Sequence, residues 1–365
     1  MKILHFYPEE DRDMIAAYVD TLCAHMGVGV VSDKATRVAD ALQLLDSHHY
    51  DVLHLHGCWR NTSLRVVRKA LKGNIRLVVS PHGQLEPWVQ EEHYWQEKLP
   101  KKLLYQKYIV SHAYAVVIQG KMEEKCMKKL KWNSRTVIIR NCLITRSISA
   151  DEMSTQTYSL YRKILDSNTL QLMTADTKTT LRQLIKAGIT GDVRWLHEAC
   201  IRIEDEAQWR MLLCYAHQEQ IADIVSRGLR VLQLDAPDIN VADAPCFYPD
   251  GYTPTQTIES AIGMQFATEN ERLLATFRHL RKLVFQRRLT IAHLIELDRE
   301  LRFHGAEEEQ LCEALEERHL LAFAARLMQL AADLTGLEEG FMPVAPRNDR
   351  QARTMRKQVD NHLKI

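Results

Sequence analysis

Two short apolar runs, each ending in His and Gly, constrain the fold of this chain more than any other feature. They are Asp51-Val-Leu-His-Leu-His-Gly57 and Leu77-Val-Val-Ser-Pro-His-Gly83, and a helical pattern over residues 64–71 lies between them. Apolar runs of this length between turn residues are typical of buried parallel strands. In an open parallel sheet, the residues that follow the strands line the edge at which ligands bind. We therefore predict a ligand site at this edge, with His56 and His82 in it.

Strand and helix signals alternate through the first 145 residues. The predicted strands are Lys2–Tyr7, Val28–Val31, Val52–His56, Leu77–Val79, Ala115–Ile118 and Thr136–Ile139. Helical stripes of apolar residues separate most of these runs. This alternation predicts an α/β domain over residues 1–150, with a Rossmann-like, doubly wound parallel sheet.

The hydrophobic period changes near residue 150, and almost everything after it is helical. We predict an all-helical domain over 151–345, with a loop or joint at 236–255 and a polar tail at 346–365. Gly191, Gly228 and Gly305 stand where helix ends are expected. No parallel sheet is expected between residues 150 and 340.

Composition limits the class of partner and the compartment. The chain has 48 Lys+Arg and 47 Asp+Glu, for a net charge of +1, which argues against nucleic acid as a partner. Its eight cysteines follow no regular spacing and include no CxxC pair, so we expect reduced thiols. No run is apolar enough for a signal peptide or a membrane span, and we expect a cytoplasmic protein.

Several motifs, in their order and spacing, resemble the N-terminal half of glycosyltransferase family 4 enzymes, which have the GT-B architecture. The resemblance covers roughly residues 1–145. The motifs are Met1-Lys-Ile-Leu-His-Phe-Tyr-Pro8, Asp51–Gly57, Ser80-Pro-His-Gly83 with Leu85-Glu-Pro-Trp88, Lys101-Lys-Leu-Leu-Tyr105 and Val137-Ile-Ile-Arg-Asn141. The run from Ser80 to Trp88 is the most specific of them.

The resemblance implies a glycosyltransferase of cell-envelope polysaccharide synthesis. Such an enzyme moves a sugar from a nucleotide-sugar to a glycan or lipid-linked acceptor, with retention of configuration and without a metal. The N-terminal domain would hold the acceptor, and His82 would be the catalytic candidate near the transferred sugar. The residues expected to bind substrate are His56, Gly57, Gly83, Glu86 and Trp88. No cofactor is expected.

The chain departs from the family pattern in two places. The loop after the first strand reads Glu9-Glu-Asp-Arg-Asp13, where four acids and no Gly would oppose a diphosphate. No Gly-rich loop leading into a helix with paired glutamates follows residue 145, so no donor domain is recognised. Nucleotide-sugar binding is therefore expected to be weak or absent. The alternative function is a non-catalytic pseudo-glycosyltransferase that binds a glycan or another protein.

Three further features each have two interpretations. The basic stretch 98–146 is either a contact for anionic lipid at the inner face of the membrane or a solvated surface. In the helical half, basic residues would either neutralise a diphosphate or cover a solvated helix face; they are Arg278, Arg281, Lys282, Arg287 and Arg288. The aromatic rings of Trp59, Trp88 and Trp95 would either stack on sugars or pack at an interface.

A metal site at the paired histidines is not expected. We predict that His54 and His56 point to opposite faces of their strand, which would separate their rings.

Overall fold

The computed structural model describes residues 1–9, 12–86, 88–89, 98–196, 203, 205–263 and 265–365, without the side chains of residues 12, 13, 195 and 196. The chain divides into two compact units. The first unit contains Met1–Ser167, Pro245–Asp250 and Ile365. The second unit contains Asn168–Ala244 and Gly251–Lys364.

The first unit is built on a six-stranded sheet in which every neighbouring pair of strands is parallel. The strands are β1 (Lys2–Phe6), β2 (Val31–Ala35), β3 (Val52–His56), β4 (Arg76–Ser80), β5 (Ala115–Ile118) and β6 (Thr136–Ile138). Their order in space is β2-β1-β3-β4-β5-β6. The chain thus adds β2 on one side of β1 and all later strands on the other. This reversal makes the β1–β3 boundary the topological switch point, where doubly wound sheets bind their ligands.

Helices connect the strands of this unit. They are α1 (Arg12–Ala24), α2 (Val38–Ser47), α3 (Ser63–Lys72), α4 (Leu99–Lys101), α5 (Lys107–Ser111), α6 (Lys121–Leu130) and α7 (Ala150–Leu165), with a π-helical segment over Lys102–Gln106. Helix α7 lies beyond the predicted domain boundary at residue 150. It belongs to the first unit because it packs against α1, where the Ser154 hydroxyl donates to the Leu22 carbonyl at 3.3 Å.

The two faces of the sheet differ in polarity, because side chains alternate along each strand. One face is apolar and includes Leu53 and Leu55 of β3 and Leu77 and Val79 of β4, all almost fully buried. The other face bears buried polar residues under the tyrosines of α1 and α7. They are His5, His54, His56, Arg76 and Ser80. A single strand sequence thus supplies an apolar core on one side and a polar cluster on the other.

The second unit is helical, and the described residues after Ile138 contain no strand. Its helices are α8 (Ala175–Thr190), α9 (Glu206–Gln218), α10 (Ala222–Leu232), α11 (Ile258–Ile262), α12 (Glu269–Phe285), α13 (Ile291–Phe303), α14 (Glu308–Glu317), α15 (Leu321–Leu334) and α16 (Arg350–Asp360). Side-chain caps fix several of their starts. The Thr174 and Thr268 hydroxyls, for example, accept from backbone N–H groups in the first turns of α8 and α12. The predicted fold class, an α/β sheet followed by an all-helical region, is confirmed.

Three local predictions differ from the structure. The second strand lies at Val31–Ala35 instead of Val28–Val31; Val28 is fully exposed and next to Gly29, whose φ of +89° makes a turn. The segment read as a polar tail contains α16, whose Ala352, Met355 and Val359 are buried as one apolar stripe.

The predicted joint at 236–255 returns in part to the first unit. The Phe247 N–H donates to the Ser167 hydroxyl at 2.7 Å, and the Lys163 ammonium lies 4.1 Å from the centre of the Phe247 ring.

Among the described residues, no helix is both long and apolar enough to cross a bilayer.

Candidate functional site

The loops that follow β3 and β4 meet at one edge of the sheet. His56 pairs in register with Ser80, and the Gly57 N–H donates to the Ser80 carbonyl at 2.8 Å. Both loops then turn through the left-handed region of backbone conformation, with φ of +83° at Gly57, +53° at His82 and +80° at Gly83. A non-glycine residue at such a φ is uncommon, although His, like Asn and Asp, adopts it more often than most, so the backbone of residue 82 is constrained by the loop.

The prediction that His54 and His56 point to opposite faces is wrong. Residues two apart in a strand share a face, and the two imidazole rings stack with their centroids 4.0 Å apart. His5 of β1 is the register partner of His54 and lies on the same face. The structure therefore gathers His5, His54 and His56 into one cluster, and His82 adds a fourth ring 5.3 Å from His56.

Hydrogen bonds connect three of these rings in a chain across the β1–β3 switch point. The Gln119 side-chain amide nitrogen donates to His82 Nδ1 at 3.0 Å, since an amide nitrogen cannot accept. For neutral rings, this donor requires that His82 Nε2 donates to His56 Nδ1 and that His56 Nε2 donates to His5 Nδ1; both pairs are 3.0 Å apart. The last proton of the chain resides on His5 Nε2, which is buried and has no hydrogen-bond partner among the described residues.

Burial keeps all four rings neutral. Loss of hydration lowers the pKa of His5 from 6.5 to about 3, with a smaller contribution from Lys34, and lowers the pKa of His82 to about 4. It also lowers the pKa of His54 and His56 well below the ordinary value. A neutral imidazole has one donor and one acceptor nitrogen, which suits the alternating donors and acceptors of the chain.

Residue 82 is half-buried as a whole, but its ring lies inside this network. The centroid of the His82 ring lies 4.8 Å from the centroid of the Tyr18 ring, in an edge-to-face arrangement. Both ring nitrogens are engaged, one with His56 and one with Gln119. In this arrangement His82 presents no free nitrogen to a substrate. With a pKa of about 4, it is also a poor general base at neutral pH.

His54 anchors the cluster to helix α7. One of its ring nitrogens lies 2.6 Å from the Tyr161 hydroxyl and the other 2.7 Å from the Ser80 hydroxyl. Burial raises the pKa of Tyr161 well above its ordinary value, so the phenol keeps its proton. Every polar atom of this branch thus has a partner, as buried polar groups require.

The cluster has the composition of a metal site but not the geometry of a prepared one. Ring nitrogens of His5, His54 and His56 lie within 4.8 Å of one another, a grouping that can offer ligands to a transition metal. Both nitrogens of His54 and both of His56 are already hydrogen-bonded, however. A metal ion would have to replace several of these bonds. The arrangement favours a hydrogen-bonded imidazole network, and the absence of a metal stays a prediction.

Glu123, a residue that the sequence did not single out, holds the His82 loop in place. The carboxylate of Glu123, in the first turn of α6, accepts from the Gly83 N–H and from the Gln119 N–H, both at 3.1 Å. Burial raises its pKa more than these two bonds lower it. The available signal was Gly120 before a helix with an acid at its third position, a pattern that bonds back to the helix start.

Gln84 supports the neighbouring loop. Its side-chain oxygen accepts from the Cys58 N–H at 2.5 Å, and its carbonyl accepts from the Trp59 indole at 2.8 Å. Trp59 is only 6% exposed, so its ring packs and does not offer a face to a sugar. A lone Gln and a lone Trp in two loops carry no sequence signal for this contact.

The remaining predicted site residues differ in whether they contact the His82 loop. Glu86 lies next to Gly83 and donates its backbone N–H to the Gly83 carbonyl at 3.0 Å; one of its carboxylate oxygens is buried without a described partner. Trp88 is 58% exposed, and no described contact joins it to the histidines. Trp95 and the acids Glu10 and Asp11 lie outside the described residues. Glu9 forms an ion pair with Arg37 at 3.6 Å.

Comparison with protein-family models, with curated proteins and with solved structures finds no match to this chain in any of the three.

Proposed function

We propose that this chain is a glycosyltransferase-like protein of cell-envelope polysaccharide synthesis. Its first unit would bind a glycan or a lipid-linked acceptor at the sheet edge formed by the loops after β3 and β4. If the protein is catalytic, it transfers a sugar from a nucleotide-sugar without a metal. This proposal combines the motif resemblance of residues 1–145 with the position of His56 and His82.

The observation that supports it most is the coincidence of the motif residues with the switch point of the sheet. His56 and Gly57 follow β3, which borders the β1–β3 boundary, and His82 and Gly83 follow the next strand. Ligands of doubly wound sheets bind outside the carboxyl ends of strands at such a boundary. A polar, hydrogen-bonded edge with left-handed loop residues suits recognition of hydroxyl-rich ligands.

In this proposal the histidines orient and do not abstract a proton. The Gln119–His82–His56–His5 chain fixes the tautomer of each ring, and neutral rings can exchange hydrogen bonds with sugar hydroxyls at low cost. A ligand hydroxyl that replaces Gln119 as the partner of His82 Nδ1 would use this network directly. Glu86, whose pKa burial raises, would be a further polar contact at the edge.

A non-catalytic role is the second candidate, and a specific observation favours it. The described part of residues 168–364 is helical, where a GT-B enzyme would have a second parallel sheet for the donor. The first unit would then be kept as a glycan-binding or protein-binding module. Both candidates share the acceptor edge, and they differ in whether the chain binds a nucleotide-sugar.

A lipid-linked acceptor would place the protein at the cytoplasmic face of the inner membrane, bound peripherally through the basic stretch 98–146. Leu103 and Leu104 are 73% and 75% exposed on the π-helical segment, directly after Lys101 and Lys102. Apolar side chains next to lysines are the composition by which amphipathic segments enter an anionic lipid surface.

The proposal is tested by calorimetric titration of the whole chain with UDP-, GDP- and ADP-sugars. Three proteins are compared: wild type, His82→Asn and His25→Asn. Asn tolerates the left-handed φ of residue 82, and His25 is an exposed histidine of the same unit that serves as the matched control. Micromolar binding that His82→Asn weakens and His25→Asn leaves unchanged supports the transferase. The absence of binding to all three donors overturns the transferase and leaves the non-catalytic candidate.

A further inference from the structure

A small basic pocket lies in the helical unit, apart from the sheet and its histidines. It is bounded by the C-terminal half of α12, the turn before α13, the start of α13 and the residues after α16, and its volume is about 160 Å³. The side chains that matter are His279, Lys282, Arg288, His293 and His362. No Asp or Glu is among the residues that line the pocket.

The positive charge of the pocket is not balanced within the described structure. Neither Lys282 nor Arg288 forms an ion pair with a described carboxylate. Their charges act on the histidines instead: after burial, Lys282 and Arg288 lower the pKa of His279, and Arg288 lowers the pKa of His362. A pocket lined by two cations and no acid stabilises a bound anion.

The pocket also contains a polar atom that the protein leaves unsatisfied. His362 Nε2 is buried and has no hydrogen-bond partner among the described residues, although its ring lies 5.7 Å from that of Tyr252. Most buried side-chain nitrogens in proteins have a hydrogen-bond partner, and leaving one without a partner is unfavourable. His362 thus lines the pocket as a neutral ring with one nitrogen that no described group satisfies.

Other contacts hold the walls in position. The Arg288 guanidinium donates to the Thr253 hydroxyl, and His293 Nδ1 accepts from the Thr290 N–H at 3.2 Å as part of the cap of α13. His293 is therefore a wall residue, and Lys282, Arg288 and His362 are the groups left for a ligand. Ligand pockets for whole organic molecules measure roughly 300–1,000 Å³, so this pocket fits a group of the size of an oxyanion.

We propose that this pocket binds a phosphate group, held by Lys282, Arg288 and His362. A guanidinium, an ammonium and an imidazole at one pocket are the chemistry that recognises phosphate oxygens; here Lys282 and Arg288 are exposed and His362 is half-buried. The inference concerns the helical unit alone and holds whether or not the first unit acts on glycans. Of the basic residues that the sequence singled out, Lys282 and Arg288 line this pocket, whereas Arg278 and Arg281 line a neighbouring, more open pocket together with Lys282.

The test is titration of the whole chain with inorganic phosphate at constant ionic strength, with chloride as the reference anion. Wild type is expected to bind phosphate saturably in the millimolar range or below. The double variant Lys282→Gln/Arg288→Gln should bind at least about tenfold more weakly, because it removes both charges that face the ligand. The matched control is Arg278→Gln/Arg281→Gln, which removes the same number of charges from α12, the helix that carries Lys282, at residues that do not line this pocket, and it should keep the wild-type affinity.

A second measurement uses only the wild-type protein, so it does not depend on the folding of a variant. The imidazole C–H resonances of His362 should shift with phosphate and saturate at the calorimetric dissociation constant, while those of the exposed His25 stay unchanged. The inference is overturned if wild type shows no saturable binding, if the two double variants lose affinity equally, or if the His362 resonances do not respond.

Discussion

At the scale of single residues, the His82 loop concentrates the unusual features of the first unit. His82 has a φ of +53°, two engaged ring nitrogens and a pKa of about 4. Each of these features depends on a partner from another element: His56 on β3, Gln119 after β5 and Tyr18 on α1. The residue acts through a network, so its replacement affects stability as well as binding.

Replacement of His82 should separate these two effects. His82→Ala removes the partner of the buried His56 Nδ1 and places an alanine at a left-handed φ, which alanine rarely adopts. We therefore expect a loss of about 1–3 kcal/mol in the free energy of unfolding. His82→Asn retains a polar group and tolerates the φ, and should lose clearly less. Urea unfolding of both variants measures the difference. Equal stability of His82→Ala and wild type would show that the network contributes nothing to folding.

In the helical unit, Glu219 at the end of α9 predicts a pH dependence. It is 1% exposed, and burial raises its pKa from 4.5 to about 8. Between pH 4.5 and 8 the folded chain holds a proton that the unfolded chain has lost, so stability must fall as the pH rises, by up to about 1.4 kcal/mol per pH unit. The lowered histidine pKa values act in the opposite direction, but only below pH 6.5, where the unfolded rings take up protons.

Glu219 therefore dominates the change expected between pH 6.5 and 8, since its pKa of about 8 lies at the end of this window. We expect the free energy of unfolding of wild type, measured by urea titration with circular dichroism, to decrease across this window. Glu219→Gln, which keeps the shape and removes the titration, should show a flat profile. A flat wild-type profile, or a slope that persists in the variant, would mean that the buried carboxyl is not protonated in the folded chain.

At the scale of elements, the closest packing in the helical unit joins α8 and α10. A Cβ on Gly188 would lie 2.1 Å from the Ile224 carbonyl oxygen, and a Cβ on Gly228 would lie 2.1 Å from the Leu184 carbonyl oxygen. The two glycines thus let each helix rest on the backbone of the other. The sequence predicted Gly228 at a helix end, but it lies inside α10. There it allows the close contact with α8 and does not end the helix.

This packing makes a sharp prediction for alanine substitution. Gly188→Ala should destabilise the protein by about 1–3 kcal/mol or more, because backbone atoms cannot move aside without separating the helices. The matched control is Gly305→Ala, where a Cβ meets nothing within 4 Å and φ is not positive. Thermal unfolding compares the two variants. Similar melting temperatures for both would contradict the close approach of α8 and α10.

The π-helical segment is the element that tests the proposed membrane contact. We expect wild type to sediment with anionic phosphatidylglycerol vesicles and not with neutral phosphatidylcholine vesicles. Leu103→Ser/Leu104→Ser should weaken this binding about tenfold or more, because two exposed leucines would leave the lipid. The control is Phe303→Ser, which removes an exposed apolar side chain from the helical unit. Equal binding by both variants would mean that the two leucines do not contribute to vesicle binding. Either the basic residues alone would then bind the vesicles, or the protein would not bind them.

At the scale of the whole molecule, local periodicity was enough for the fold class. Strand runs and helical stripes are properties of neighbouring residues, and they identified the α/β unit and the helical remainder. Element boundaries depended on contacts distant in sequence. Helix α7 joins the first unit through α1, and α16 is buried through one apolar stripe in a charged segment, so neither was predicted from composition.

The candidate site was predicted only in part, for a related reason. His56, Gly57, His82 and Gly83 carry a local signal because each follows an apolar run. His5, Gln119 and Glu123 reach the same edge through strand order and register, which a single sequence does not reveal. The opposite-face reading of His54 and His56 was a different kind of error, since the two-residue period of a strand already places them together.

The transferase and the glycan-binding form of the non-catalytic candidate both require that the edge around His82 binds a glycan. The most direct test is a binding screen of the wild-type chain against a panel of glycans and lipid-linked sugars, followed by titration of the best ligand into His82→Asn and His25→Asn. We expect saturable binding of at least one ligand class, weakened about tenfold or more by His82→Asn and unchanged by His25→Asn. Failure of the folded wild-type chain to bind any glycan, or equal binding by wild type and His82→Asn, would contradict it.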